Sequence, residues 1–389
     1  MAETPKIEGE REHLLKAARR LVIKLGTNTV AGPQGELSAE RVRPIAESIA
    51  ALMGEGRQVV LVSSGAVGLG RGWLGLHPSR LGDLVTKQAC AAVGQSLLMN
   101  AYKELFGEWN IKVAQVLLTE EDFTNWGRYS NLRQTMEKLL GFGVLPIVNE
   151  NDTVSTAELE SVGTGPRTPV FSDNDRLAAL VMSGMEADSL VLMTNVEGLL
   201  RNGAKGDRAA ADVIPLVTQI TPELRKLASG PSENGRGGMR TKLEAAEIAM
   251  NCGGIAVIAS GQAPKALDRI FAGEPLGTAF LPSTRMRGKR RWIAYAADVR
   301  GRVVVDAGAY RAITERKASL LASGVMRVES HFAPMDVVSI LDAEGREFAR
   351  GIAKCASDEA EQARRKKSQG AASSPVLVTR DNIVLLQKP

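Results

Sequence analysis

The sequence predicts an α/β protein: a three-layer αβα sandwich with a mostly parallel open sheet, followed by a small β-rich, barrel-like domain. Over the first 280 residues, short β-branched runs alternate with longer stretches whose apolar residues recur at helical spacing. A polar, basic segment then interrupts this pattern, and short strand-like runs follow it. The 389 residues are enough for two or three domains.

Six apolar runs predict the strands of the first domain. Strands that alternate with helices favour parallel pairing, because each crossover helix returns the chain to the same end of the sheet. Ligands on such sheets bind beyond the carboxyl ends of the strands, so the loops that follow these runs are the candidates for chemistry. The predicted strands are Leu21–Leu25, Val59–Val62, Val113–Leu118, Val144–Val148, Leu190–Met193 and Ile255–Ala259.

Amphipathic stretches between these strands predict helices. A helix with one apolar face can cover one side of the sheet, which gives the three-layer arrangement. The two clearest apolar sets are Val42, Ile45, Ile49 and Leu52, and Leu243, Ala246, Ile248 and Met250.

The chain divides at a basic linker, Phe280–Arg291 (FLPSTRMRGKRR), which is rich in the residues of interdomain connections. The predicted regions are an N-terminal extension at 1–18, a first domain at 19–280, a linker at 281–291 and a β-rich domain at 292–389. The extension carries no recognisable motif. The strand-like runs of the last region are Trp292–Ala296, Arg302–Val305, Val325–Val328, Val337–Leu341 and Phe348–Ile352.

Composition argues against several classes of site. The three cysteines and three histidines are scattered along the chain. We therefore expect no disulfide framework, no zinc site and no chemistry that depends on an imidazole group. Mean hydropathy is −0.07, no apolar run approaches the ~20 residues of a membrane span, and the N-terminus lacks the apolar stretch of a secretory signal. We therefore expect a cytoplasmic protein without a membrane partner.

Charge is unevenly divided along the chain. Residues 285–389 contain 20 basic and 12 acidic residues, a net charge of +8, whereas residues 1–284 carry −3. A basic cluster beside Trp292 is typical of RNA-binding surfaces, although only one aromatic residue accompanies it and solvated linkers are also charged. RNA therefore stays open as a partner. The cluster consists of Arg285, Arg287, Lys289, Arg290 and Arg291.

A lysine interrupts the first predicted strand. Lys24 is followed by Gly26 and Thr27, so at the strand end it could bring an ammonium group and backbone N–H groups to a phosphate. The alternative is an edge-strand lysine that reaches solvent, and spacing alone does not decide between them.

A glycine-rich loop, Ser63–Gly72, follows the second strand. Within this region Gly70, Gly72 and Gly75 match the spacing of a dinucleotide-binding loop. No strand directly precedes Gly70 and no acidic residue follows at the required distance, so tight helix–strand packing is the better explanation.

A second glycine-rich loop, Arg236–Lys242 (RGGMRTK), opens a helix predicted to begin near Met239. Glycine backbone, a helix N-terminus and a first-turn lysine each attract anions, which favours phosphate binding. The alternative is a flexible loop ahead of a surface helix. No Walker motif occurs in the chain.

Two polar clusters follow the fourth strand, Asn149–Asp152 (NEND) and Ser172–Asp175 (SDND). Their carboxylates and amides could bind the ammonium and carboxylate groups of an amino acid. Ser172 or Asp173 could instead cap the following helix, and the two roles are compatible.

Together these loops predict phosphoryl transfer without a P-loop. Lys24 and Lys242 would supply positive charge, and the polar clusters would bind the acceptor. A carboxylate acceptor is ionised at neutral pH and needs no general base, which agrees with the lack of a histidine or cysteine motif.

Five strings resemble a known family: VIKLGTNTV, VSSGAVGLG, PIVNENDTV, SDNDRLAAL and GGMRTKLEAA. They occur in this order over about residues 20–280 and resemble the glutamate 5-kinases of the amino-acid-kinase family. The part from KRRWIAYAADVRGRVVVDAGA to about Lys354 resembles the PUA domain that many bacterial members carry. The resemblance implies the amino-acid-kinase fold followed by a PUA-like barrel.

The resemblance implies phosphorylation of the γ-carboxylate of L-glutamate to L-glutamyl 5-phosphate, the first step of proline biosynthesis. ATP would be the co-substrate, with Mg²⁺ carried on its phosphates and no metal site on the protein. It further implies feedback inhibition by proline, a homo-oligomer (dimer or tetramer) and handover of the product to glutamate-5-semialdehyde dehydrogenase. Relatives that phosphorylate aspartate, N-acetylglutamate, carbamate or UMP are the alternatives, and the two polar clusters with the PUA-like tail favour glutamate.

The resemblance also assigns roles to residues. Lys24 and Lys242 would stabilise the transferring phosphoryl group, and Asp175 would hold these lysines in place. The glutamate ligands would be Ser64, Asn149, Asp152, Asp173 and Asn174. The nucleotide site would comprise Lys24, Gly26, Thr27, Thr194, Asn195, Arg236, Gly237, Gly238, Met239, Arg240, Thr241 and Lys242.

Three features depart from the family pattern. Asn195 stands where aspartate is usual, and Arg236 and Arg240 stand where small hydroxyl residues are usual. Glu158–Phe171 is longer than expected between the two polar clusters. Because the corresponding loop covers the glutamate end in the family, we expect altered substrate affinity or proline sensitivity.

Overall fold

Two compact units make up the described parts of the chain. The computed structural model describes residues 4–30, 32, 38–154, 174–201, 212–228, 238–282, 289–297, 299–367 and 374–386. The first unit comprises Met1–Asp122 and Gly127–Met286, and the second comprises Phe123–Trp126 and Arg287–Pro389. None of the described helices combines the length and apolar character needed to cross a membrane.

A mostly parallel sheet forms the centre of the first unit. Its described strands are β1 (Arg20–Leu25), β2 (Gln58–Ser63), β3 (Val113–Leu118), β4 (Leu145–Glu150), β5 (Ser189–Thr194), β6 (Leu216–Val217), β7 (Ile255–Ser260) and β8 (Thr278–Phe280). They lie in the order β3-β4-β2-β1-β5-β7-β8-β6, and only β7 and β8 pair antiparallel. All six predicted strands are therefore confirmed, with no end shifted by more than two residues.

Helices flank this sheet, as predicted. The two apolar sets expected on helices lie on the helices Ala39–Gly54 and Met239–Asn251, and their members are buried. The helices of this part of the chain are α1 (Thr4–Ala17), α2 (Thr27–Val30), α3 (Ala39–Gly54), α4 (Ala66–Trp73), α5 (Leu84–Gly107), α6 (Glu120–Thr124), α7 (Trp126–Gly141), α8 (Asn174–Met185), α9 (Pro222–Leu227), α10 (Met239–Asn251) and α11 (Ala266–Phe271).

Strand β1 runs through the middle of the core. Leu21, Ile23 and Leu25 are fully buried and pack in one cluster with Ile49 of α3 and Phe106 of α5. A strand paired on both edges and covered on both faces reads as a continuous apolar run, as this one does apart from Lys24. The lysine therefore occupies a position at which a charge must be compensated.

The N-terminal segment forms helix α1 and packs in the first unit. Its Leu15 is fully buried. Arg11 is also buried and donates hydrogen bonds to the carbonyl oxygens of Glu274 and Leu276, both at 2.8 Å. These bonds satisfy carbonyl groups near the start of β8.

Close packing explains the first glycine of the motif after the second strand, Gly70, but the partner is a helix. A Cβ atom at Gly70 of α4 would lie 1.8 Å from the carbonyl oxygen of Cys90 on α5, and one at Gly94 would lie 1.7 Å from the carbonyl oxygen of Ala66. Helix–strand packing was the prediction. It was wrong because residue size indicates a close approach without identifying the element that approaches.

Replacing Gly70 with alanine should lower the free energy of unfolding by about 1–3 kcal/mol, because the added methyl group meets backbone that must move. Gly9→Ala on α1 is the matched control. Nothing lies within 4 Å of its Cβ position, so that variant should gain about 0.4–1 kcal/mol. Urea denaturation measures both. Equal effects of the two substitutions would contradict the packing explanation.

The second unit is β-rich, as predicted. Its strands are β9 (Val299–Val305), β10 (Leu320–Leu321), β11 (Val325–Val328), β12 (Val337–Leu341), β13 (Glu347–Ile352), β14 (Val376–Val378) and β15 (Ile383–Leu385), with helices α12 (Lys289–Arg291), α13 (Ala307–Thr314) and α14 (Ser357–Lys367). The described pairings give a five-stranded sheet, β11-β9-β12-β13-β15, and a separate pair, β10-β14. These pairings do not close into a single barrel.

One predicted strand of this unit is wrong. Trp292–Ala296 forms a π-helical turn that continues α12. Trp292 is buried, its ring lies 5.1 Å from that of Trp126, and its Nε1 donates to the carbonyl oxygen of Phe123 at 2.7 Å. A short apolar run does not distinguish a strand from a buried helical turn, and here the packing around the indole ring decided.

Candidate active site

The register of the central strands places Lys24 at the carboxyl end of the sheet. Lys24 is the penultimate residue of β1 and pairs with Val62 of β2 and Leu192 of β5. Lys24 is only 7% exposed. The edge-strand, solvent-reaching alternative is therefore excluded, and the ammonium group needs a buried partner.

Asp175 supplies that partner and binds a second lysine. Lys24 Nζ lies 2.6 Å from Asp175 Oδ1, and Lys242 Nζ lies 3.0 Å from Asp175 Oδ2. Thr241 Oγ1 also lies 3.2 Å from Oδ2. Residues from three distant parts of the chain thus form one buried cluster, which we call the lysine cluster: Lys24, Asp175 and Lys242.

Two helix N-termini converge on the lysine cluster. Asp175 is the second residue of α8, where the helix dipole stabilises a carboxylate. Lys242 is the fourth residue of α10, whose first turn follows Gly238. A cation in the first turn opposes the dipole. This placement is unfavourable unless an anion, such as Asp175 or a bound phosphate, lies beside it.

Asp175 stays ionised despite its burial. Burial alone would raise its pKa, but the charges and hydrogen bonds of Lys24 and Lys242 outweigh that effect and lower the pKa below its ordinary value. Two ammonium groups and one carboxylate leave the cluster with a net charge of +1. A buried excess of positive charge favours the binding of an anion beside it.

Polar side chains at the carboxyl ends of β2 and β4 and at the start of α8 form a second group beside the lysine cluster. Asn174, the residue before Asp175, donates from Nδ2 to Ser64 Oγ at 2.7 Å and contacts the carbonyl oxygen of Ser63 at 3.1 Å. The same nitrogen lies 3.3 Å from Asn149 Oδ1. Three of the predicted glutamate ligands, Ser64, Asn149 and Asn174, are therefore in direct contact.

Of the two other predicted glutamate ligands, one lies near the end of β4 and the other lies outside the described residues. Asp152 is half-buried, two residues after β4. The preceding Asn151 donates its backbone N–H to the carbonyl oxygen of Leu118 at 2.8 Å, which fixes the path of the chain. Asp173, together with the long segment Glu158–Phe171, lies outside the described residues.

The predicted nucleotide residues of β1 and β5 lie side by side. Gly26 donates its N–H to the carbonyl oxygen of Met193 at 3.2 Å, which aligns Thr27 with the end of β5. Thr194 ends that strand, its carbonyl oxygen accepts from the N–H of Gly261 at 2.8 Å, and Asn195 follows it. These residues lie at the carboxyl end of the sheet, as Lys24 does.

The predicted loop before α10 is only partly described. Gly238 precedes the helix, and its carbonyl oxygen accepts from Thr241 Oγ1 at 2.9 Å. Met239 begins the helix, whereas Arg240 is exposed and lies 3.8 Å from Glu244. Arg240 is therefore not part of the lysine cluster. Arg236 and Gly237 lie outside the described residues.

Two residues of α5 contact the site and were missed by the sequence analysis. Gln95 Oε1 accepts from Asn149 Nδ2 at 3.0 Å. The hydroxyl group of Tyr102 lies 2.8 Å from Ser63 Oγ, and burial raises the pKa of Tyr102 to about 12, so it stays a neutral phenol. The two residues are seven apart and so share one helix face. That spacing was the one signal available.

Comparisons with known proteins match two families to two regions of the chain. The Amino acid kinase family matches residues 19–259, and the PUA domain matches residues 301–371. The chain is 42% identical over 384 residues to the glutamate 5-kinase of Citrifermentans bemidjiense, covering 97% of this chain and all of the relative. It is 46% identical over 341 residues to that of Myxococcus xanthus (87% of each chain) and 42% identical over 388 residues to that of Moorella thermoacetica (97% and 99%).

The first match falls on the mostly parallel sheet, and the second falls on the β-rich part of the chain. The first match begins just before β1 and ends within β7, and so spans the residues of the lysine cluster. The second begins within β9 and reaches beyond α14. With this identity over nearly the whole length, the chain belongs to the glutamate 5-kinases of the amino acid kinase family and carries a C-terminal PUA domain.

Proposed function

We propose that this chain transfers the γ-phosphoryl group of ATP to the γ-carboxylate of L-glutamate, forming L-glutamyl 5-phosphate and ADP for proline biosynthesis. The observation that carries the proposal is the buried lysine cluster, whose net positive charge suits a triphosphate. The family of the chain supports glutamate as the acceptor.

The lysine cluster would stabilise the transferring phosphoryl group. Negative charge spreads over the oxygens of this group in the transition state, and ammonium groups already held in place need no reorganisation to receive it. Asp175 would position Lys24 and Lys242, since its two carboxylate oxygens each face one lysine. The backbone at Gly26 and Gly238 would approach the phosphates.

The polar group at Ser64, Asn149 and Asn174 would bind the acceptor, with Asp152 facing its ammonium group. The γ-carboxylate of glutamate, with an ordinary pKa of about 4.3, is ionised at neutral pH. Its oxygen attacks the γ-phosphorus while the bond to the ADP oxygen breaks, and no proton has to move. A site built from lysine, serine and amide groups is sufficient for that reaction.

Magnesium would reach the site on the phosphates of ATP. Both oxygens of Asp175 already face ammonium groups, so this carboxylate does not fit a metal ligand. Across the ranges that the structure describes, no three His, Cys, Asp or Glu side chains are grouped to hold a metal ion. Mg²⁺ is commonly bound by substrate phosphates with few protein ligands, and there it neutralises phosphate charge.

A panel of acceptors tests the choice of glutamate. ADP release is measured with MgATP and, in turn, L-glutamate, L-aspartate, N-acetyl-L-glutamate, carbamate and UMP. We expect the highest kcat/KM with L-glutamate. Faster turnover with another acceptor would refute glutamate as the substrate while leaving the lysine cluster as the phosphate site.

Replacing Asp152 with alanine should raise the KM for glutamate about 10-fold or more, because a charge-assisted hydrogen bond to the ammonium group is lost. The KM for ATP should change less than about 2-fold, since Asp152 follows β4 rather than the phosphate loops. Asp381→Ala, an exposed aspartate of the second unit, is the control. A defect confined to the ATP KM would contradict the assignment.

The family resemblance adds four further proposals. We expect inhibition by proline, assembly into a dimer or tetramer, a cytoplasmic location, and handover of glutamyl 5-phosphate to glutamate-5-semialdehyde dehydrogenase. Rates measured against proline concentration and light scattering of the purified protein test the first two. Binding of RNA by the C-terminal module stays a prediction, to be tested by tRNA titration at several salt concentrations.

A further inference from the structure

We propose that Gln95 is a positioning residue that fixes the hydrogen-bond polarity of the acceptor site. The proposal rests on the proposed function, because it concerns how the same site binds an amino acid. Gln95 lies in the middle of α5 and is only 7% exposed. Its Oε1 accepts from Asn149 Nδ2 at 3.0 Å, and it reaches Asn174 and Ser64 through Asn149.

The carbonyl oxygen of Ser63 identifies the direction of these hydrogen bonds. The carbonyl oxygen of Ser63 can only accept, so the Asn174 atom 3.1 Å away is the Nδ2 donor. The same nitrogen lies 3.3 Å from Asn149, which must present Oδ1 to it. Asn149 then turns its Nδ2 towards Gln95, which must present Oε1. Reversing any one amide would set two donors or two acceptors against each other.

This polarity determines what the site offers to a ligand. Ser64 Oγ accepts from Asn174, so the hydroxyl proton of Ser64 is free to donate. The Oδ1 of Asn174 keeps its capacity to accept. An amino acid carries a carboxylate, which only accepts, and an ammonium group, which only donates. The hydrogen-bonded amides that end at Gln95 therefore present one donor and one acceptor. These match the carboxylate and the ammonium group of an amino acid.

Gln95 keeps this orientation at an energetic cost. Its Nε2 is buried and has no hydrogen-bond partner among the described residues, and an unsatisfied buried donor destabilises a fold. An apolar side chain of similar length would fill the same space without that cost. We infer that the carbonyl oxygen of Gln95, and neither its volume nor its NH₂ group, is what the site uses.

Two substitutions at Gln95 separate polarity from packing. Gln95→Met keeps the length but removes the acceptor, whereas Gln95→Glu keeps an oxygen that can accept from Asn149. Asn100→Met, at an exposed amide on the same helix, is the matched control. From ADP-release kinetics we expect Gln95→Met to raise the glutamate KM about 10-fold, with kcat and the ATP KM within about 3-fold of wild type. Asn100→Met should stay within about 3-fold for all three constants, and Gln95→Glu should raise the glutamate KM less than Gln95→Met does.

The outcomes distinguish failure of the role proposed for Gln95 from failure of the proposed function. A glutamate KM left unchanged by Gln95→Met, or raised equally by Gln95→Glu, overturns the polarity role. A lower kcat and Tm with an unchanged KM also overturns it, because that pattern belongs to a packing defect. If Gln95→Met does not fold, Gln95→Asn withdraws the acceptor by one methylene and repeats the test. Wild-type protein that does not turn over glutamate overturns the proposed function itself.

Discussion

Replacing Asp175 with asparagine should lower the free energy of unfolding by about 3–5 kcal/mol, because two buried ammonium groups lose their counter-charge. Lys24 and Lys242 lie at 2.6 and 3.0 Å from its oxygens and are both 7% exposed, so water compensates them poorly. Activity should fall by at least about 100-fold, because neither lysine is then held in place. Urea denaturation and ADP-release kinetics measure the two effects.

The effect of this substitution should depend on pH with a defined sign. The folded chain lowers the pKa of Asp175 below the value of about 3.9 expected in the unfolded chain. Its contribution to stability is therefore complete above that value and is lost as the pH falls through the folded-state pKa. The stability gap between wild type and Asp175→Asn should stay constant near neutral pH and shrink below about pH 4.

A surface carboxylate provides the comparison for Asp175. Glu244 lies on α10, 3.8 Å from the exposed Arg240. Glu244→Gln should leave stability close to that of wild type, because exposed ion pairs contribute little. Similar losses of stability in Asp175→Asn and Glu244→Gln would mean that the two buried lysines do not depend on the charge of Asp175 as inferred from their burial.

Replacing Lys242 with alanine should reduce kcat by about 10²–10³, because one of two ammonium groups stabilising the transferring phosphoryl group is removed. Stability should change far less than in Asp175→Asn, since Lys24 still pairs with Asp175 and the cluster becomes neutral. Removing the cation also relieves its unfavourable position in the first turn of α10. The variant should therefore be folded and nearly inactive.

The control for Lys242 is a lysine outside the site. Lys138 on α7 is exposed and lies over the ring of Phe142, and Lys138→Ala should keep wild-type kcat. Single-turnover measurements of phosphoryl transfer separate chemistry from product release in all three proteins. Wild-type turnover by Lys242→Ala would remove this lysine from the mechanism.

The sequence predicted the sheet, and the end of it at which the candidate site lies, because both depend on local patterns. Each strand is a short apolar run, and parallel strands bring their carboxyl ends to one edge, so Lys24, Ser64, Asn149 and Thr194 could be assigned to that edge before the structure was known. The burial of Lys24 was not predictable in the same way. It depends on β1 lying between β2 and β5, which no local pattern encodes.

Two contacts between side chains distant in sequence, those made by Gln95 and Tyr102, escaped prediction. Gln95 is 54 positions from Asn149, and Tyr102 is 39 positions from Ser63. Both lie on a helix whose own sequence reads as ordinary core. The same limit explains the error at Trp292–Ala296, where the surroundings of one indole ring decided between a strand and a helical turn.

The most direct measurement traps the product of the reaction. The protein is incubated with MgATP, L-glutamate and hydroxylamine, and ADP is compared with γ-glutamyl hydroxamate by mass spectrometry. We expect ADP release that depends on glutamate, with hydroxamate formed in an amount equal to the ADP, because the acyl phosphate reacts with hydroxylamine as it forms. ADP released without hydroxamate, or no turnover of glutamate at all, would contradict the assignment of the γ-carboxylate as the acceptor.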